Sequence, residues 1–115
     1  MTIKEIAEHA YNTAEMHGHY GNNPEQAIID KLEEEVGELD NAFYCNDFKP
    51  FPMLPKDNDK FKQVYEEYIK DTVPGELCDI IVTACAAAKK YEIHLELFIP
   101  AVLRYNKLRT YHVSL

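Results

Sequence analysis

Two pairs of acidic residues, each spaced by three positions, are the residues of this chain best suited to chemistry. Glu35 and Glu38 form the first pair, and Glu76 and Asp79 form the second. Because three residues make nearly one helical turn, each pair places both carboxylates on the same side of a helix. If the two helices pack together, four hard oxygen ligands meet, and such a group suits Mg²⁺, with Mn²⁺ as the alternative. The pairs therefore predict a divalent metal site.

The second pair lies in a segment, 76–90, that is apolar on most of its sides. A helix of that kind usually belongs to a protein core. Carboxylates are rare in a core unless they are paired or hold a metal. We therefore expect this helix to be buried nearly all round, with Glu76 and Asp79 on one polar stripe and with Asp79 lying deeper, beside Cys78 and Ile80.

Each acidic motif also has a simpler interpretation. A run such as Glu34-Glu35-x-x-Glu38 is common on the solvated face of a helix. Glu76 by itself can serve as a first-turn acid that answers the helix dipole, since Pro74 marks a helix start just before it. The metal interpretation gains from the occurrence of two such pairs together, one of them on an apolar helix.

A basic segment near the carboxyl terminus, Tyr105-Asn106-Lys107-x-Arg109, stands out in a chain of net charge −8. Lys107 as a point charge and Arg109 as a planar fork could hold phosphate oxygens. The alternative is that basic residues end a helix because they suit its C-terminal dipole. Beside a carboxylate–metal site, a phosphate clamp is the more economical interpretation.

Together these motifs resemble those of the MazG-like, all-α nucleoside triphosphate pyrophosphohydrolases. Glu34-Glu35-x-x-Glu38 followed by Glu76-x-x-Asp79 resembles the family's acidic signature, and Tyr105-Asn106-Lys107-x-Arg109 is similar to the basic end of its fourth core helix. A His17-Gly18 pair followed by Tyr20 also resembles small stand-alone members. The gap between the acidic pairs is longer than the family usually shows, which predicts an insertion there.

The resemblance implies hydrolysis of a nucleoside or deoxynucleoside triphosphate to the monophosphate and pyrophosphate, as nucleotide-pool house-cleaning. It implies Mg²⁺ held by Glu35, Glu38, Glu76 and Asp79. Glu34 is the candidate catalytic residue, able to orient a water molecule or take its proton, although a solvated Glu34 is the simpler interpretation. The candidate substrate contacts are Lys107, Arg109, Asn106, Tyr105 and His17, with His112 as a further candidate. A homodimer or homotetramer is also implied, in which the basic segment could close on a neighbouring subunit's site.

Two alternatives stay open. A non-catalytic helical nucleotide-binding or regulatory module would have similar apolar faces, but it need not keep all four acids. A pyrophosphohydrolase of another phosphorylated metabolite, such as a nucleotide sugar or a phosphoribosyl nucleotide, would carry the same motifs. The five histidines occur at no Glu-x-x-His or His-x-x-x-His spacing, which argues against a ferritin-like di-iron bundle.

Composition predicts one globular domain over 1–115, since 46% of its 115 residues are hydrophobic and 28% are charged. The negative net charge argues against nucleic-acid binding.

The longest apolar run is far shorter than the about 20 residues of a membrane span, and the amino terminus has no signal-peptide core. Cys45, Cys78 and Cys85 are expected to be small buried residues in a reducing, cytoplasmic compartment.

Hydrophobic periodicity predicts an all-α fold, an antiparallel bundle of four core helices with a short helix in an insertion at about 46–71. The predicted helices span 2–17, 23–45, part of 57–71, 72–91 and 94–108. The expected core faces comprise Ile28, Ile29, Leu32, Val36, Leu39 and Phe43 in the second helix, and Leu95, Phe98, Ile99, Val102 and Leu103 in the last. Prolines 50, 52 and 55 exclude regular helix early in the insertion, and Pro100 predicts a kink or a late start.

The apolar residues of the insertion, Phe48, Phe51, Met53 and Leu54, have two interpretations. They are too apolar for a solvated loop. They therefore either cover the core or make a contact between subunits.

Overall fold

Helices account for nearly all regular structure in the computed structural model, which describes residues 1–109. In chain order they are α1 (Ile3–Met16), α2 (Pro24–Tyr44), α3 (Asn58–Tyr68), α4 (Val73–Lys90) and α5 (Leu95–Leu108). The all-α prediction is confirmed, with four long helices and a short one, α3, inside the insertion. Within the described range, no helix is both long enough and apolar enough to cross a membrane.

Local hydrogen bonds set the helix starts largely as the sequence predicts. The Thr2 hydroxyl accepts from the Glu5 amide at 3.1 Å, and the Glu5 carboxylate accepts from the Thr2 amide at 3.2 Å, which completes a capping box at α1. Asn23 caps α2 by accepting from the Gln26 amide at 3.2 Å. The Gln26 side chain donates to Asp30 at 2.7 Å, one turn further along α2.

The start of α4 is fixed by a buried corner. Thr72 is 1% exposed, and its hydroxyl accepts from the Gly75 amide at 3.2 Å while it donates to the Ile69 carbonyl at 2.6 Å. The Val73 amide donates to the Asp47 carbonyl at 3.0 Å, which joins the beginning of the insertion to the same corner. This corner determines where Glu76, the next residue of α4, is placed.

Helix α4 occupies the centre of the bundle, where it packs against α1 on one side and α2 on another, while α5 contacts α1. The buried positions along these contacts are mostly small residues: Ala14, Ala42, Cys85, Ala86 and Ala88. Small side chains let helix backbones approach closely, so α4 holds α1 and α2 in fixed positions. That arrangement positions the two acidic pairs.

The insertion adds α3 and an extended segment before it. As the three prolines predict, residues 46–57 form no regular helix. The Lys49 ammonium donates to the Glu67 carbonyl at 2.8 Å, which ties the extended segment to the end of α3. The apolar residues Phe48, Phe51, Met53 and Leu54 are exposed, so they do not cover the core of their own chain.

The predicted core faces are only partly buried, which corrects the expectation from periodicity. About half of the surface of Ile29, Val36 and Phe43 remains exposed on α2, and the same holds for Phe98, Val102 and Leu103 on α5. Ile28, Leu32 and Leu39 on α2, and Leu95 and Ile99 on α5, are partly buried. Periodicity identifies an apolar face but does not say whether the same chain covers it.

Helix α4 is likewise not buried all round, because Leu77, Ile81 and Val82 are exposed. These exposed apolar residues of α4 show where a single chain leaves apolar surface uncovered.

Two of the three cysteines contradict their prediction, since Cys45 and Cys78 are exposed and Cys85 is buried. Helix α5 begins at Leu95 and continues through Pro100, so the late start is wrong.

Candidate metal centre

Three of the four predicted metal ligands meet where α2 packs against α4. Glu35, Glu38 and Glu76 each offer a carboxylate oxygen, and these three oxygens lie within 4.8 Å of one another. Glu35 and Glu38 come from successive turns of α2, and Glu76 comes from the first turn of α4. The helix packing therefore converts two separate sequence motifs into one cluster of oxygen ligands.

Two members of this cluster are almost completely inside the protein. Glu35 is 4% exposed and Glu76 is 2% exposed. The Oε2 atom of each is buried and has no hydrogen-bond partner among residues 1–109. Burying a carboxylate oxygen without a partner is costly, so such atoms call for a ligand or an ion that satisfies them.

Burial and mutual repulsion oppose ionisation of Glu76 and Glu38. Loss of hydration, a hydrogen bond with Glu38 and the charges of Glu38 and Asp79 raise the pKa of Glu76 to about 7. Burial, and then the charge of Glu35, raise the pKa of Glu38 as well. A cation that bound here would reverse this effect, because an adjacent positive charge favours the ionised carboxylates.

Asp79 lies beside the cluster rather than within it, and it is only partly buried. Burial raises the pKa of Asp79, and the charges of Glu35 and Glu38 raise it further, which places the three carboxylates in one electrostatic environment. The expectation that Asp79 lies deeper is wrong, since Glu76 is the inner residue. Asp79 lines a neighbouring cleft, which Glu76 does not.

That cleft lies between α1, α2 and α4 and has a volume of about 1060 Å³. Glu35, Asp79 and Glu34 line it on the acidic side. Its other walls are apolar side chains and a few polar ones, among them Ile28, Ile81, Val82, His9, Thr13, His19 and Tyr20. This volume is at the upper end of the range for small-molecule sites. The apolar walls, with few polar groups, suit an organic ligand whose charged end reaches the acids.

Lys31 supplies a positive charge at this place. Its ammonium lies 3.0 Å from Glu35 Oε1 and 3.7 Å from Glu34 Oε1, and the residue also lines the cleft. Lys31 is not among the site residues that the sequence motifs predict. The signal was present, because a lysine four residues before a glutamate faces it across one helical turn.

Tyr65 of α3 is a second residue that the sequence analysis did not select. Burial raises the pKa of its phenol, and the charges of Asp79 and Glu76 raise it further, so the side chain shares the electrostatic environment of the acids. No sequence signal distinguishes Tyr65 from the other aromatic residues of α3, Phe61 and Tyr68.

The remaining predicted residues lie apart from the acidic cluster. Tyr105, Asn106 and Lys107 are exposed on α5, and they do not belong to the residues within 1–109 that line the cleft. Arg109 follows α5, with its guanidinium carbon 5.9 Å from the ring centroid of Tyr105. Helix α5 packs mainly against α1, whereas the acids lie on α2 and α4.

Glu34 and His17 also differ from the inner acids. The Glu34 side chain is 57% exposed and lies at the edge of the cleft, where it faces Lys31. His17 is exposed at the end of α1, with its ring 5.6 Å from that of His19, and His19 rather than His17 lines the cleft. His112 lies outside the described residues.

The donor set fits a hard divalent cation. It consists of carboxylate oxygens from two helices, with two buried oxygen atoms that lack partners in the described part of the chain. Mg²⁺ and Mn²⁺ prefer such oxygen ligands. The sequence itself has no match among models of protein families, among curated proteins or among solved structures.

Proposed function

We propose that this protein hydrolyses a nucleoside triphosphate or deoxynucleoside triphosphate to the monophosphate and pyrophosphate, with Mg²⁺ or Mn²⁺ as cofactor. The observation that supports it best is the pair of buried, unpartnered oxygens of Glu35 and Glu76 beside Glu38. Glu35 also lines a large, mostly apolar cleft, which gives a phosphate group and a nucleoside adjacent places to bind. The resemblance of the motifs to MazG-like pyrophosphohydrolases supports the choice of reaction.

In this proposal Glu35, Glu38, Glu76 and Asp79 hold the cation. A bound divalent cation would lower the pKa of a water molecule and offset negative charge on phosphate oxygens. Glu34, at the edge of the cleft, orients that water or accepts its proton. The apolar walls take the base and sugar and exclude bulk water from the acids.

The basic segment then acts across a subunit boundary. Lys107, Arg109, Asn106 and Tyr105 would contact phosphates bound to a neighbouring copy, in a homodimer or homotetramer, and His17 would contact the substrate near the cleft. The uncovered apolar faces of α2 and α5 support self-association. So does a radius of gyration of 16.6 Å, against about 13 Å for a compact monomer of this length. We also propose that the protein acts in the cytoplasm and binds no nucleic acid.

The experiment that tests the reaction is pyrophosphate release from all NTPs and dNTPs, with Mg²⁺ or Mn²⁺ and with each assay repeated in EDTA. We expect metal-dependent pyrophosphate from one or a few nucleotides. The Glu38→Gln variant should lose at least about 100-fold in kcat, because it removes one charged ligand.

Glu33→Gln is the matched control, because Glu33 is an exposed acid on the same helix. Activity that survives Glu38→Gln contradicts the metal assignment. Bound metal without turnover on the whole panel favours another phosphorylated metabolite or a non-catalytic module.

A further inference from the structure

Lys31 is placed between the acids that would hold the cation and the cleft that would hold the substrate. Its ammonium is 3.0 Å from Glu35 Oε1, and its side chain is 39% exposed whereas that of Glu35 is 5% exposed. Glu35 Oε1 therefore has a positive partner, while Glu35 Oε2 is buried and has none among the described residues. One oxygen of the same carboxylate contacts Lys31, and the other is left without a partner among the described residues.

The positive charge of Lys31 has opposite consequences before and after a cation binds. Before binding, its charge offsets part of the repulsion between Glu35 and the neighbouring acids. After binding, a divalent cation and the ammonium repel each other across a few ångströms. The half-exposed lysine has room to move into the cleft that it already lines.

We propose that Lys31 is an internal counter-ion that holds Glu35 in place without metal, gives way to the divalent cation, and then contacts a phosphate of the substrate. This inference rests on the proposed function for its last step only. The anion that arrives with the cation is a polyphosphate, and its oxygens accept hydrogen bonds from an ammonium as readily as Glu35 does. Lys31 is thus a positioning residue for Glu35 and a substrate contact in turn.

The first test is Mn²⁺ binding, measured by calorimetry at pH 8 and low ionic strength without nucleotide. Lys31→Met should bind Mn²⁺ about 3- to 10-fold more tightly than the wild type, because a competing positive charge is gone. Lys31→Arg keeps the charge and should stay within about twofold. Lys89→Met is the matched control, since it removes the same charge from α4 about 20 Å from Glu76 along the helix axis.

Weaker or unchanged Mn²⁺ binding in Lys31→Met overturns the counter-ion role, because a purely structural lysine would loosen the site when removed. An equal gain in Lys89→Met overturns it too, because that result assigns the effect to net charge alone. A wild-type protein that binds no Mn²⁺ overturns both the metal centre and this inference.

The second test is steady-state turnover with the nucleotide that the panel identifies. KM should rise about 10-fold or more in Lys31→Met despite its tighter metal binding, because a charged hydrogen bond to phosphate is lost. Lys31→Arg should largely restore the wild-type KM, because it can make that hydrogen bond again. An unchanged KM overturns the phosphate contact and leaves the counter-ion role in place. A wild type without turnover overturns the proposed function, while the Mn²⁺ comparison still decides the role of Lys31 toward Glu35.

Discussion

Glu35 on α2 and Glu76 on α4 each direct one carboxylate oxygen to within 4.8 Å of the other, although both side chains are almost fully buried. Like charges at that distance in a poorly hydrated place repel strongly. In the absence of a cation, the protein relieves the repulsion by holding protons on the cluster. Most of the behaviour expected of this protein follows from that competition between protons and metal.

Without metal, the free energy of unfolding should fall as pH rises from 5 to 8. The folded-state pKa of Glu76 is about 7, above its ordinary value of 4.5. An acid with a raised pKa adds stability that is complete below its unfolded pKa and is lost as pH rises through its folded pKa. We expect a loss of roughly 1–3 kcal/mol in urea unfolding in EDTA. Glu76→Gln should remove most of this dependence, and Glu33→Gln should retain it.

Mg²⁺ or Mn²⁺ should stabilise the folded protein at pH 8 and much less at pH 5. A ligand at 100 times its dissociation constant adds about 2.7 kcal/mol to the free energy of unfolding. At pH 5 the raised pKa of Glu76 keeps that carboxyl protonated, so the gain shrinks. Thermal unfolding with and without metal measures the effect. An equal gain at both pH values, or a gain that persists in Glu35→Gln, would locate the metal elsewhere.

Glu34 and Glu38 should be separable in their roles. Glu34→Gln is expected to lower kcat by about 100-fold, the low end for loss of a general base. It should leave Mn²⁺ affinity nearly unchanged, since Glu34 is exposed and lies outside the cluster of oxygens. Calorimetry and steady-state kinetics on the two glutamine variants provide the comparison. If kcat of Glu34→Gln decreases by less than about threefold, Glu34 is an ordinary solvated acid and not a catalytic residue.

Gly75 should be intolerant of a side chain, in contrast with Gly37. A Cβ on Gly75 would overlap the backbone carbonyl of Ile69, so Gly75→Ala must move the corner before α4. We expect it to lose about 1–3 kcal/mol in urea unfolding. Gly37 in α2 faces open space, and Gly37→Ala should gain about 0.5–1 kcal/mol by limiting the unfolded chain. Equal effects at the two glycines would contradict the close approach at the corner.

Self-association should depend on the apolar face of α5. Sedimentation at micromolar concentration is expected to show a dimer or a tetramer. Phe98→Asp should shift it toward the monomer, because Phe98 is 59% exposed on a helix that contacts mainly α1. Gln63→Asp adds the same charge at an exposed polar position of α3 and should have little effect. A monomeric wild type would leave the basic segment without access to a neighbouring site.

The helix starts and the shared face of each acidic pair could be predicted, because local sequence determines them. Thr2, Asn23 and Thr72 cap helices through their own side chains, and the spacing of the acids already implies one shared face. Which acid lies innermost could not be predicted, because that depends on the corner at Thr72 and on the contact between α2 and α4. Spacing along one helix carries no information about either.

The exposed apolar faces of α2 and α5 show a second limit of prediction from the sequence. Val36 and Phe98 have the periodicity of core residues, yet both remain on the surface of the chain. A hydrophobic pattern has the same form whether it packs within one molecule or between two.

The corner of Thr72, Ile69 and Gly75 has a consequence for how this chain can change in length. One residue gained or lost between positions 72 and 76 would turn Glu76 by about 100° around α4 and remove it from Glu35 and Glu38. The extended segment at 50–56 precedes both α3 and the corner, so its length can vary while the register of α4 is preserved. Insertions and deletions should therefore be tolerated in that segment and eliminated at the corner, only some twenty residues away along the chain.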